Sequence, residues 1–289
     1  MNPKVQGFFD KATFTISYVV TDPKTKAAAI IDPVLDYNPR SGKFATASAD
    51  GILDYVRENG LKVVWILDTH VHADHLSAVG HLKEKLDAPV GIGANVTKVQ
   101  AYFKKFYNAE TGFKTDGSQF DHLFKDGETF KIGELEGRVL YTPGHTEACS
   151  TYVIGDAAFV GDTLFMEDYG TARADFPGGS ASTLYASIHR LYEELAPETR
   201  IFLCHDYGTD KRKEYVWETT LDAERKKNVL VHEGVSEAEY VKAREEKDAK
   251  LDAPVLLLPS IQVNMRAGHF PPEEANGVSY LKIPVRKTS

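Results

Sequence analysis

Residues 62–68, Lys62-Val63-Val64-Trp65-Ile66-Leu67-Asp68, run directly into Thr69-His70-Val71-His72-Ala73-Asp74-His75. Val63–Leu67 is an unbroken apolar, largely β-branched run, the pattern of a strand buried on both faces. The segment after it packs three imidazoles and a carboxylate into six positions. His70 and His72, two apart, can reach one point from a loop, and Asp74 and His75 can reach the other side of that point. A divalent ion needs such donors converging at roughly 2.0–2.2 Å. Read instead as packing, the same side chains would be desolvated without partners. The stretch therefore predicts a metal site at the carboxyl end of a strand, where layered α/β proteins carry their functional loops.

The layout recurs downstream. Arg138–Tyr141 reads as a strand delivering Thr142-Pro143-Gly144-His145, and Ala157–Val160 as one delivering Gly161-Asp162. Ile201–Leu203 delivers Cys204-His205-Asp206-Tyr207. Three further strand ends thus each present a His or an Asp. Upstream, Thr13–Val19 alternates polar and apolar residues, and the Asp22-Pro23 turn joins it to Ala27–Asp32 as a hairpin. Helical spacing appears over Asp50–Asn59, stopped by Gly60, and again over Thr183–Leu195. Ser236 and Glu239 form a capping box for a helix running towards Lys250, and Pro254 follows its end. His81, His122, His189, His232 and His269 lie outside these loops and read as structural or surface histidines. No Gly/Ser/Pro-rich linker and no repeat divides the chain. It is expected to be one α/β domain over 1–289, with a helical C-terminal elaboration over about 209–289.

The 289 residues carry a net charge of -8, which opposes binding to nucleic acid or to an anionic membrane surface. Cys149 and Cys204 are too few to staple a chain of this length, so the expected compartment is reducing. Both read as buried small hydrophobes beside the site. With no apolar run suited to export or membrane crossing, the expected location is cytoplasmic.

Taken together, THVHADH at 69–75, PGH at 143–145, GD at 161–162 and the late His205 resemble the metallo-β-lactamase superfamily. The resemblance implies an αββα sandwich, two mixed sheets flanked by helices, with the metal at one edge between the sheets. Within the superfamily, Gly144-His145-Thr146-Glu147-Ala148-Cys149, Gly161-Asp162-Thr163-Leu164-Phe165, Ala172-Arg173-Ala174-Asp175-Phe176, His205-Asp206-Tyr207 and Asn264-Met265-Arg266-Ala267-Gly268 look like the persulfide dioxygenases, in a bacterial β-lactamase-like hydrolase subclass. That family implies one Fe(II) per chain, held by His70, His145 and Asp162, and oxidation of glutathione persulfide by O₂ to sulfite and glutathione. Three protein ligands on one face leave positions open for substrate and dioxygen. His72, Asp74, His75 and His205 would then surround the ligands and orient them.

The alternative is a glyoxalase II-type hydrolase of S-lactoylglutathione, in which the same four residues hold a second metal ion. A non-catalytic metal-binding sensor is a third class, disfavoured by the intact ligand set. Tyr207, Arg173, Arg225 and Lys226 are the candidate substrate contacts, each weighed against a packing or solvated role. Two departures from the dioxygenase pattern stand out. Ala267 occupies a position where that family commonly carries Cys, which removes redox control through a thiol there. Asn228-Val229-Leu230 occupies the place of an Asn-Pro-Arg that assists with the glutathione carboxylates, so another basic residue must serve. The resemblance also suggests a rhodanese-type sulfurtransferase partner and a homodimer.

Overall fold

The computed structural model describes residues 2–285 and 287. Strands β1 (Lys4–Asp10), β2 (Thr15–Thr21) and β3 (Ala27–Ile31) come first, then β4 (Val34–Asn38), β5 (Lys43–Ala45) and helix α1 (Ala47–Glu58). They lead to β6 (Lys62–Leu67), β7 (Leu76–Ser77), α2 (Val79–Leu86), β8 (Val90–Gly93), α3 (Val96–Phe106) and β9 (His122–Phe124). The second half contains β10 (Thr129–Ile132), β11 (Leu135–Tyr141), β12 (Ser150–Ile154), β13 (Ala157–Phe159), α4 (Ala181–Glu194) and β14 (Arg200–Phe202). It closes with β15 (Glu218–Thr220), α5 (Leu221–Lys227), α6 (Glu237–Asp248) and α7 (Leu257–Asn264).

One six-stranded sheet has the order β1-β2-β3-β6-β8-β9, and a second has the order β10-β11-β12-β13-β14-β15. Both are mixed. β3, β6, β8 and β9 pair in parallel, whereas β1, β2 and β3 pair antiparallel. In the second sheet β13 and β14 form the parallel pair. The hairpin expected from the Asp22-Pro23 turn is present, with Tyr18 opposite Ile31.

Three apolar clusters mark the layers. Val19, Ala28 and Ile30 point outward, into the cluster that includes Ile52, Leu82, Val96 and Phe103 of α1, α2 and α3. Their neighbours Tyr18, Val20, Ala29 and Ile31 point inward and meet Val139, Tyr152 and Phe159 of the second sheet. Successive residues of a strand face opposite sides, so both faces of β2 and β3 are covered and every position is buried. The outer face of the second sheet packs Ala158 and Ile201 against Leu184, Ile188 and Leu191 of α4. Each fully buried Ile or Leu in these clusters contributes about 1.5–3 kcal/mol. The order is helix, sheet, sheet, helix: an αββα sandwich.

Helix starts follow local chemistry. The Ser180 hydroxyl accepts from Thr183 N, which places the start of α4 at Ala181, slightly before the expected 183. The expected capping box forms, with Ser236 and Glu239 satisfying each other's backbone. The stretch read as a C-terminal elaboration is woven into the sandwich. β15 extends the edge of the second sheet through Thr220 opposite Arg200, and Ile261 and Val263 of α7 enter the first core. Among the described residues, no helix is long and apolar enough to cross a membrane.

Candidate metal centre

The loop after β6 is held from two directions. Asp32, just past β3 and 2% exposed, takes a left-handed backbone (φ 49°). Its carboxylate accepts from Thr69 N at 2.7 Å and from the Thr69 hydroxyl at 2.9 Å, and lies 2.9 Å from His72 Nε2. From the far end of the chain, Asn264 Nδ2 donates to the carbonyls of His72 and His75, both at 2.8 Å, while its Oδ1 accepts from Ser77 N at 2.7 Å. Glycines make the other two loops fit. A Cβ on Gly144 (φ 140°) would lie 2.3 Å from Leu184 Cα, so only glycine lets the His145 loop rest on α4. A Cβ on Gly161 (φ 51°) would lie 2.6 Å from the Thr69 hydroxyl.

These loops bring all seven sequence-predicted donors together as two buried sets. His70, His145 and Asp162 form one, and His72, Asp74, His75 and His205 form the other, with donor atoms inside each set within 4.8 Å of one another. Each ring is oriented by one nitrogen and presents the other. His70 Nδ1 lies 3.1 Å from the Thr69 hydroxyl, and His145 Nδ1 donates to the Arg173 carbonyl at 2.8 Å. His75 Nδ1 and His205 Nδ1 each lie 3.3 Å from the Thr15 hydroxyl. What remains is a set of buried atoms without a hydrogen bond: His70 Nε2, His72 Nδ1, Asp74 Oδ2, His75 Nε2, Asp162 Oδ1 and His205 Nε2. The last of these lies 3.1 Å from Asp74 Oδ2 and 3.3 Å from Asp162 Oδ1 as an ion-pair contact. Buried polar atoms are normally satisfied, so orphans concentrated at one point indicate a cation.

The electrostatics agree. Burial drives the His70 pKa well below its usual value. At His72 burial acts the same way, but the Asp32 carboxylate outweighs it and raises the pKa to about 9. Asp74 and Asp162 do the same for His205, also to about 9. The carboxylates of the cluster thus call for positive charge at a largely buried point, and a divalent ion answers that demand. The residues fit a metal centre.

A cavity of about 610 Å³ opens over this centre, lined by Asp74, His145 and Asp162 at its floor. Tyr207 lines it, 38% exposed, with its ring stacked 5.6 Å from that of His205. Arg173 lines it too and grips Asp175, as the sequence suggested, at 2.6 and 2.8 Å. The expectation for Arg225 and Lys226 is corrected. Both lie on α5, paired with Glu233 at 3.1 Å and Asp222 at 2.8 Å, and neither lines the cavity. Their place just upstream of Asn228-Val229-Leu230 marked them, but the face of the helix decides where they point. Lys247 and Arg244 of α6 line the cavity instead, together with Arg40 of the β4–β5 turn. Asp32 and Asn264 were also missed as site residues. For Asp32 a signal existed, since Ile31-Asp32-Pro33 is another strand end presenting a carboxylate.

The profile of the metallo-beta-lactamase superfamily matches residues 11–205. A probable metallo-hydrolase of Burkholderia pseudomallei is 52% identical over 97% of this chain and 98% of that one. Glyoxylase B2 of Dictyostelium discoideum is 48% identical, covering 98% and 97%. The human mitochondrial persulfide dioxygenase ETHE1 is 30% identical over 69% of this chain and 66% of that one. A beta-lactamase hydrolase-like protein of Xylella fastidiosa is 52% identical, and the chain spans 65% of its length. Among solved structures, ETHE1 from Myxococcus xanthus superposes with a TM-score of 0.73 at 30% identity, covering 92% of this chain and all of that one. The fold, the ordered ligand loops and the profile agree: the chain belongs to the metallo-β-lactamase superfamily.

Proposed function

We propose that the protein is a mono-iron persulfide dioxygenase that converts glutathione persulfide, O₂ and water to glutathione and sulfite. The observation that carries this reading is that His70, His145 and Asp162 converge as a buried set of two imidazoles and one carboxylate, with Asp162 also reaching His205 Nε2 at 3.3 Å. That donor set suits non-haem Fe(II) and leaves coordination positions open. Similarity to ETHE1 proteins, one of them named a persulfide dioxygenase, supports the same assignment. When bound, Fe(II) supplies the one-electron chemistry that activation of O₂ requires and that zinc lacks.

The chain's own groups do the rest. The Arg173 carbonyl and the Thr69 hydroxyl fix His145 and His70 with their Nε2 atoms inward. Asp32 holds His72 by Nε2, so this ring buttresses the loop. Phe14, Phe165, Tyr169 and Tyr207 form an apolar wall, with Tyr207 5.4–5.8 Å from the other three rings, which shields the sulfur end of a bound substrate from bulk water.

A second reading has its own support. His72, Asp74, His75 and His205 form a complete donor set, and a relative 48% identical is named glyoxylase B2. A two-metal hydrolase of S-lactoylglutathione would use both sets. Metal analysis of protein purified without oxygen, paired with an oxygen electrode, separates the two. One iron per chain and O₂ uptake dependent on glutathione persulfide are expected. Two zinc ions per chain with rapid S-lactoylglutathione hydrolysis would sink the dioxygenase assignment.

A further inference from the structure

Four cations line the cavity: Arg40, Arg173, Arg244 and Lys247. Two are already engaged by carboxylates. Arg173 binds Asp175 through two nitrogens and also donates to the Asp252 carbonyl at 2.7 Å. Arg244, 1% exposed, binds Asp248 at 2.6 and 3.0 Å and the Thr171 carbonyl at 2.9 Å. Arg40 is exposed at the β4–β5 turn, where water and salt screen its charge. Lys247 differs from all three. It is half-buried, its Nζ donates to the Tyr169 carbonyl at 3.0 Å, and it sits 4.3 Å over the Tyr169 ring. Among the described residues no carboxylate lies within 4.0 Å of that ammonium.

An ammonium has three donors, and the protein engages this one through a single neutral oxygen and a ring face. Burial lowers its pKa, the neighbouring Arg244 charge adds to the effect, and the Asp248 carboxylate offsets part of it. An anion placed beside it would remove that penalty, and in a half-buried site the attraction is screened less than at the surface. The same wall carries the aromatic cluster of Phe14, Phe165, Tyr169 and Tyr207, while the metal donors form the floor. The chain's Asn228-Val229-Leu230 segment offers no cation to replace it: Asn228 Nδ2 is bound to the Gly170 carbonyl and to Glu224.

We propose that Lys247 is the specificity-determining anchor of the cavity, binding a carboxylate of the substrate's thiol carrier while the sulfur end faces His70, His145 and Asp162. The inference deepens the dioxygenase reading and rests on it for the identity of the reacting end alone. A carrier thiol bearing carboxylates, as glutathione does, satisfies Lys247, whereas an uncharged thiol leaves it unpaired.

The test compares wild type, Lys247→Met and Lys247→Arg, each loaded with iron, on glutathione persulfide and on its diethyl ester. In wild type the KM for the acid should be about tenfold to a hundredfold below that for the ester. Lys247→Met should erase this difference by raising KM for the acid, with kcat within about twofold, and Lys247→Arg should restore most of it. Equal KM values for acid and ester in wild type, or a preference for the acid unchanged in Lys247→Met, would overturn the assignment. Calorimetric binding of S-hexylglutathione keeps the two proposals distinguishable. Weaker binding by Lys247→Met, in a protein that takes up no O₂ with the persulfide, would leave the anchor standing and remove the dioxygenase. Unchanged binding in Lys247→Met would remove the anchor.

Discussion

Asp32 and His72 form a buried pair, with Oδ1 of one 2.9 Å from Nε2 of the other, although 40 residues separate them in the chain. The second oxygen of Asp32 accepts from the Thr69 hydroxyl, which in turn lies 3.1 Å from His70 Nδ1. One carboxylate therefore sets the orientation of two imidazoles, one in each donor set. Orienting partners of this kind fix the ring tautomer and raise the basicity of the ligating nitrogen.

Asp32→Asn should accordingly weaken metal binding about 10–100-fold while leaving the protein folded. Asn tolerates the left-handed backbone at this position, so conformation is a small part of the change. Chelator competition measures the affinity, and circular dichroism verifies folding. A folded Asp32→Asn protein with wild-type affinity would show that the pair supports the loop without tuning the metal.

The two donor sets make different predictions for neighbouring histidines. His70→Ala should lose the bound metal, because His70 Nε2 points into the three-donor set without any other partner. His72→Ala should keep most of it, because that ring belongs to the other set and is tied to Asp32. Metal content per chain after anaerobic purification is the readout. Equal losses in the two variants would contradict a single iron at His70, His145 and Asp162.

What the sequence revealed followed from locality. His70, His72, Asp74 and His75 lie within one turn of chain, and His145, Asp162 and His205 each follow an apolar strand, so short windows expose them. The sandwich was legible only in part. β6 read as an apolar run, whereas the alternation of Thr13–Val19 read as a half-buried strand, yet β2 is buried at every position because the second sheet covers its inner face. Asn264 was named only as part of a family pattern, because its partners are the carbonyls of His72 and His75, 192 and 189 residues away. Lys247 was overlooked and Arg225 and Lys226 were overvalued on one ground. Charged helices look alike in sequence, and only packing shows that α6 turns Lys247 to the cavity while α5 pairs its cations with Asp222 and Glu233.

Gly144→Ala probes how far the His145 loop depends on its contact with α4. The new methyl would meet Leu184 backbone atoms at 2.3–2.4 Å, and a backbone cannot step aside as a flexible side chain can. Overpacking of this kind costs about 1–3 kcal/mol, and the φ of 140° adds strain for any residue with a Cβ. The expected result is a lower melting temperature and reduced metal content together, because the same loop carries His145. A variant that melts as wild type and retains its metal would show that the loop accommodates the methyl by shifting as a body.

Glu224 gives the protein a pH-dependent stability unrelated to the metal centre. It is fully buried on α5; Oε2 accepts from Asn228 Nδ2 at 2.7 Å, while Oε1 has no hydrogen-bond partner. Burial raises its pKa well above the usual value, and the nearby Glu167 and Asp168 charges add to the rise. The unfolded chain therefore releases this proton first, near the ordinary glutamate value of about 4.3. Between that pH and the raised folded pKa, the native state binds the extra proton, so stability falls as pH rises. Glu224→Gln removes the ionisation while keeping the shape and the acceptor for Asn228. It should match wild type near pH 4 and melt higher near pH 8, by roughly 2–4 °C per kcal/mol recovered. Melting temperatures across that range decide the point: parallel curves for the two proteins would mean that Glu224 is solvated or charged in the folded state, and that its burial is compensated by another group.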